Sequence, residues 1–220
     1  NKLLGLEIMR FFSALSILIL HYQNFGYGSN ISADFVREKQ PLYTYLKIFY
    51  DQGHFAVYIF FCISGFIFFW KYRETICNKT VNGKQFFVAR FARLYPLHFV
   101  TLMLAALAQL IHLSINDDFF IWKNNDFFHF TLQLFMASDW GFQKGPSFNT
   151  PIWSISLEIL VYFLFFLILR YISKSILVNI MLVIFCLIAR AYEIPYTGHP
   201  IVACIGLFYI GGISAIILKF

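Results

Sequence analysis

The chain has 220 residues, 60% hydrophobic, 21% aromatic and only 13% charged, with a mean hydropathy of +0.68. A soluble domain is about 45–50% apolar and about 25% charged, and one of this size could not enclose so much apolar surface, so the composition is that of an integral membrane protein. The net charge of +6 is no mark of nucleic acid, because the Lys and Arg residues lie mostly at the ends of apolar runs, where they set topology.

A span needs about 20 mostly apolar residues. In chain order the sequence predicts six: Leu3–Tyr22, Phe55–Lys71, Leu94–Leu113, Ile152–Leu169, Ile176–Tyr192 and Ile201–Leu218. Phe127–Ala137 is too short to cross and reads as a helix lying at the interface. With the N-terminus inside, the inner segments hold eleven bases against Glu7 and Glu74, and the outer ones six bases against eight acids. That asymmetry favours a cytoplasmic N-terminus. Cys62, Cys186 and Cys204 lie in apolar segments and Cys77 in a basic loop; their spacing suits neither a disulfide framework nor a metal site.

Ionisable groups within a span cost about 2.5–3.5 kcal/mol each and need a partner or a task. The first span holds Glu7, Arg10 and His21. Arg10 and His21 are three turns apart, about 16 Å along the axis and within about 20° of one face, with Glu7 one turn below Arg10. The stripe reads either as a site against another helix or as a snorkelling Arg with an interfacial His. Ser64-Gly65 in the second span favours close helix packing. Arg90 and Arg93 share a face of a helix on the cytoplasmic side, with Lys79 and Lys84 upstream. They suit anionic lipid headgroups or, as paired guanidinium forks, phosphates and diphosphates. Pro96 is expected to kink or restart that helix. The fourth span opens at Pro151 and Trp153 and carries Glu158 about one and a half turns in, with no base nearby in sequence.

Together these segments resemble the membrane-bound acyltransferase-3 family, the O-acyltransferases of bacterial surface carbohydrates. The family's acid, Arg or Lys, and His of the first helix match Glu7, Arg10 and His21. Its two Phe followed by Ser-Gly-Phe match Phe60, Phe61, Ser64, Gly65 and Phe66. Its Arg-x-x-Arg with Tyr-Pro matches Arg90, Arg93, Tyr95 and Pro96, and its Trp-Ser-x-Ser-x-Glu matches Trp153, Ser154, Ser156 and Glu158, followed by Tyr162. Tyr58 stands where many members have an acid.

The resemblance implies an all-α polytopic transmembrane bundle, with about six of a family-typical ten or so spans present. Residues 1–220 are then a single membrane-embedded acyltransferase domain, expected to be incomplete at the C-terminus. It implies a multi-pass protein of the bacterial inner membrane that transfers an acyl group, usually acetyl, from cytoplasmic acyl-CoA to a saccharide hydroxyl. Acyl-CoA is a co-substrate; no bound cofactor or metal is implied. In that reading His21, Arg10 and Glu158 are the catalytic residues and Arg90 and Arg93 bind the donor. Glu7, Ser64, Gly65, Trp153, Ser154 and Ser156 support them.

His21 has the near-neutral pKa a base needs, acting on the acceptor directly or first carrying the acyl group. Arg10 would hold the donor or a carboxylate such as Glu7, and Glu158 would orient His21 or bind acceptor hydroxyls. The rival class is a transporter or flippase of a lipid-linked saccharide or other anion, for which Gly/Pro-broken spans in matched halves are the expected mark and are not seen.

Overall fold

The computed structural model describes residues 4–22, 36–120, 122–192, 194 and 199–219. Among them the chain is all helix: α1 (Leu4–Tyr22), α2 (Tyr43–Gln52), α3 (Phe55–Cys77), α4 (Gly83–Asn116), α5 (Phe127–Leu134), α6 (Trp153–Leu167), α7 (Ile176–Ala191) and α8 (Pro200–Lys219). Five apolar helical stretches are long enough to cross a bilayer: α1, α3, α4, the run Thr150–Ile172 that contains α6, and α8. The protein is an all-α, multi-pass membrane bundle. The span expected at 176–192 forms a helix of only 16 residues. At about 1.5 Å per residue α7 is shorter than a hydrocarbon core about 30 Å thick.

The chain divides into two compact units, and the boundary at Val161 falls inside α6. The first unit contains α1–α3, the last turns of α6, α7 and α8. Its centre is aromatic. Tyr162 stacks on Phe68 with ring centroids 4.0 Å apart, and Phe69 meets Phe165 edge-on at 5.0 Å and Tyr209 at 5.7 Å. Lipid is as apolar as Phe, so close packing rather than the hydrophobic effect holds such helices together.

Glycine makes that approach possible. A Cβ on Gly65 would strike the Phe208 carbonyl of α8, and one on Gly211 would strike the Cys62 carbonyl of α3. The close packing expected of Ser64-Gly65 is therefore a backbone-to-backbone crossing, matched from α8 by a glycine the sequence reading did not single out.

At one end of this unit basic side chains donate to backbone carbonyls of neighbouring segments. Arg73 Nη2 donates to the Lys174 carbonyl at 2.8 Å, Arg170 Nη1 to that of Ile76 at 3.3 Å, and Lys219 Nζ to that of Trp70 at 3.4 Å. These four bases are ones that the charge count groups on one side. Cys77, expected in a loop, is the last residue of α3, because the helix continues two turns past the apolar run; its thiol faces the Leu169 carbonyl at 3.5 Å.

The second unit holds α4, α5 and the start of α6. Asn82 and Gln85 form a reciprocal capping box that starts α4. The helix then runs through Pro96 without restarting. In a membrane helix a proline is tolerated because the backbone groups it frees find other partners. At 34 residues, about 51 Å, α4 exceeds the hydrocarbon thickness.

Candidate functional site

In the first unit, α1 is one unbroken helix that carries Glu7, Arg10 and His21 on one side. Arg10 Nη1 reaches Glu7 Oε1 at 3.4 Å. The edge that packs on α2 and α3 passes through Arg10, Ser13, Ile17 and Leu20; only Ser13 is fully buried. Glu7 and His21 are both exposed. Along this side Arg10 is half-buried, and the His21 imidazole stands free of hydrogen bonds from the described residues of that unit.

In the second unit, Arg90 and Arg93 lie on unbroken helix, rising about 4.5 Å from one to the other. The Arg90 guanidinium sits over the Phe86 ring at 5.9 Å, while Arg93 is exposed. Tyr95 stacks on Phe91 at 4.3 Å.

The Trp153–Glu158 motif opens α6 after a short helical turn, Thr150–Ile152, with Pro151 at its start. Ser156 is fully buried. Its hydroxyl accepts the Asp139 N–H at 3.1 Å, and its carbonyl accepts the Trp140 indole N–H at 2.9 Å. Ser154 donates to the Pro151 carbonyl at 3.4 Å, and Glu158 is half-buried. The two serines thus play different parts. Ser156 anchors the preceding loop, and Ser154 closes the helix start.

The residues that sequence reasoning missed surround α5. This helix buries its polar side: His129 and Gln133 are each 1% exposed while Phe127 is 84% exposed. Asp126 caps it, accepting the His129 N–H at 2.8 Å and pairing with His129 Nδ1 at 2.7 Å. Those bonds hold the Asp126 carboxyl below its ordinary range, the backbone N–H first and the ring next. The Lys144 N–H donates to His129 Nε2 at 3.1 Å, so the ring proton sits on Nδ1 and neither nitrogen is left to act as a base.

Gln133 Nε2 donates to the Ser147 carbonyl at 3.0 Å, and the Gln133 backbone carbonyl accepts His98 Nε2 at 2.7 Å. Gly145, at φ +157°, lies where a Cβ would come within 2.7 Å of Asn124 Nδ2. The signal in sequence was the i, i+3, i+7 spacing of Asp126, His129 and Gln133, masked by the phenylalanines between them.

This loop and the start of α6 line an open cavity of about 320 Å³, whose walls include Gln133, Ser138, Asp139, Gln143, Thr150 and Trp153. The motif residue Trp153 is one wall, and Asp139, anchored by Ser156, is another.

Comparison with known proteins agrees with the motifs. The chain is 29% identical over 179 residues to acyltransferase MdmB of Streptomyces mycarofaciens, a match covering 79% of this chain and 41% of that protein. It is 42% identical over 55 residues to protein 2 in the picA locus of Rhizobium radiobacter, covering 25% of this chain and 29% of that protein. The chain thus spans less than half the length of each. No solved structure matches it. The model of the acyltransferase-3 family, described as an acyltransferase domain, matches residues 3–218, nearly the whole chain and all four motifs, and the chain belongs to that family.

Proposed function

We propose that this chain transfers an acyl group, acetyl by preference, from cytoplasmic acyl-CoA to a hydroxyl of a cell-surface or lipid-linked saccharide. The observation that carries this reading is family membership across residues 3–218, with the ionisable motif residues in order on apolar helices. A sugar hydroxyl is a poor nucleophile, and His21 takes its proton as it attacks the thioester carbonyl. The tetrahedral intermediate collapses with departure of the CoA thiolate, which takes up a proton.

Arg90 and Arg93 hold the donor's phosphates as planar forks. Arg10, at the packed edge of α1, holds the donor or keeps Glu7 in place. Glu158 serves the acceptor side. The protein sits in the bacterial inner membrane with its N-terminus in the cytoplasm, the orientation that puts Arg90 and Arg93 where acyl-CoA is found. Mass spectrometry of surface polysaccharide from cells with and without the gene tests the reading. Loss of a base-labile ester is the expected result, and loss of a whole sugar unit would replace the enzyme with a transporter.

A further inference from the structure

We infer that the basic cluster where the ends of α3 and α8 meet the turn after α6 is a docking site for an anionic phospholipid headgroup. The inference goes beyond acyl transfer and does not rest on it: Arg90 and Arg93, proposed to hold the donor, belong to the other unit and take no part.

Three segments bring six bases to one end of the first unit. Lys71, Arg73 and Lys79 come from α3 and the turn that follows it, Arg170 and Lys174 from the end of the α6 run, and Lys219 from α8. Arg73 on the Lys174 carbonyl, Arg170 on that of Ile76 and Lys219 on that of Trp70 tie the segments together. The described residues of these segments include one acid, Glu74, and it is already paired with Arg73. A strong positive excess is left.

A carbonyl contact does not use up a base. A guanidinium has five N–H donors and an ammonium three; Arg170 spends one on Ile76 and Lys219 one on Trp70. Lys79 and Lys174 are exposed, and their ammonium groups make no hydrogen bond or ion pair with the described residues of their unit. The anchored side chains are already ordered, so an arriving anion costs less of their freedom.

Aromatic residues mark the depth of the cluster independently of its charge. Trp70 and Tyr171 are exposed beside it and Tyr72 is half-buried, and Trp and Tyr gather at the headgroup level of a bilayer. Charge alone would suit a soluble phosphate as well; bases flanked by aromatics at headgroup depth favour a lipid. The charge-based orientation puts this end at the inner leaflet, whose anionic phospholipids attract Lys and Arg next to a span.

Native mass spectrometry of the full chain tests the inference, with detergent micelles doped with phosphatidylglycerol or phosphatidylcholine. Phosphatidylglycerol should bind the more tightly. Lys79→Gln/Lys174→Gln should weaken its Kd about fivefold for each base removed, and Lys79→Arg/Lys174→Arg should retain it. Lys47→Gln/Lys123→Gln removes two exposed bases elsewhere and should leave the Kd unchanged. All four lysines are exposed, so these variants change charge without opening a core. Added salt should weaken the wild type more than Lys79→Gln/Lys174→Gln.

Equal affinity for the two lipids, or an unchanged Kd in Lys79→Gln/Lys174→Gln, would overturn the inference. An equal loss in Lys47→Gln/Lys123→Gln would do the same, because the attraction would then come from the overall charge and not from the cluster. Displacement of phosphatidylglycerol by inorganic pyrophosphate would make the cluster a site for soluble phosphates instead.

Discussion

The Ser156 hydroxyl accepts the Asp139 backbone N–H across seventeen residues, at 3.1 Å, while the Ser156 carbonyl takes the neighbouring Trp140 indole. A serine of the family motif thus fixes the loop that carries an acid into the cavity. Ser156→Ala leaves a half-buried N–H without its acceptor, a loss of about 1–3 kcal/mol. The expected outcome is a lower melting temperature together with a higher acceptor KM and an unchanged donor KM. An equal rise in both would mean that Ser156 supports the protein at large rather than this loop.

Gly65 and Gly211 set the crossing of α3 and α8. A Cβ at either must displace backbone rather than a mobile side chain, so Gly65→Ala and Gly211→Ala should each cut the yield of folded protein sharply. Gly5 has open space where its Cβ would stand, and Gly5→Ala is the matched control. Size-exclusion profiles of detergent-solubilised variants decide it: wild-type-like profiles for both crossing variants would mean that the helices can separate at no cost.

Asp126 supplies a pH signature. Its folded carboxyl titrates below the ordinary value, so its contribution is fully present above the unfolded pKa of about 3.9 and is lost as pH falls through the folded value. Asp126→Asn keeps a capping side chain but forfeits the charge-assisted bonds to His129. The variant should melt below wild type near pH 7, and the gap should close on the acid side of about pH 4. A gap constant from about pH 7 to about pH 3 would show that the carboxylate charge contributes nothing there.

His21 is expected to be the base. His21→Ala should lower transfer about 10²–10⁴-fold with insertion intact, and His21→Gln should be nearly as poor, since an amide cannot take a proton. Substantial activity in His21→Gln would make it a positioning residue and move the search for a base to Glu158.

Arg93→Ala should raise the acyl-CoA concentration needed for half-maximal rate, and Arg93→Lys should restore it only in part, because an ammonium does not reproduce the fork. Full activity of the Arg90→Ala/Arg93→Ala double variant at limiting donor would return the pair to binding lipid headgroups.

The spans were legible because a membrane helix is written locally: about 20 apolar residues suffice, and Glu7, Arg10, His21 and Glu158 stand out against them. The capped start of α4 and the Pro151 start before α6 are local in the same sense. By itself the sequence determined which stretches are apolar enough to span and which ionisable residues stand out within them.

Tertiary packing decided what those residues touch. That α5 turns His129 and Gln133 inward and its phenylalanines outward depends on partners 14–35 residues away, Ser147 and His98. Periodicity alone, in a segment this apolar, assigns the aromatic face to the interior. The Gly65–Phe208 crossing, the cavity beside Trp153 and the place of Cys77 at a helix end were likewise invisible. Each arises where two segments distant in sequence compete for the same space, and the shape of that space is a property of the packed helices and not of any one of them.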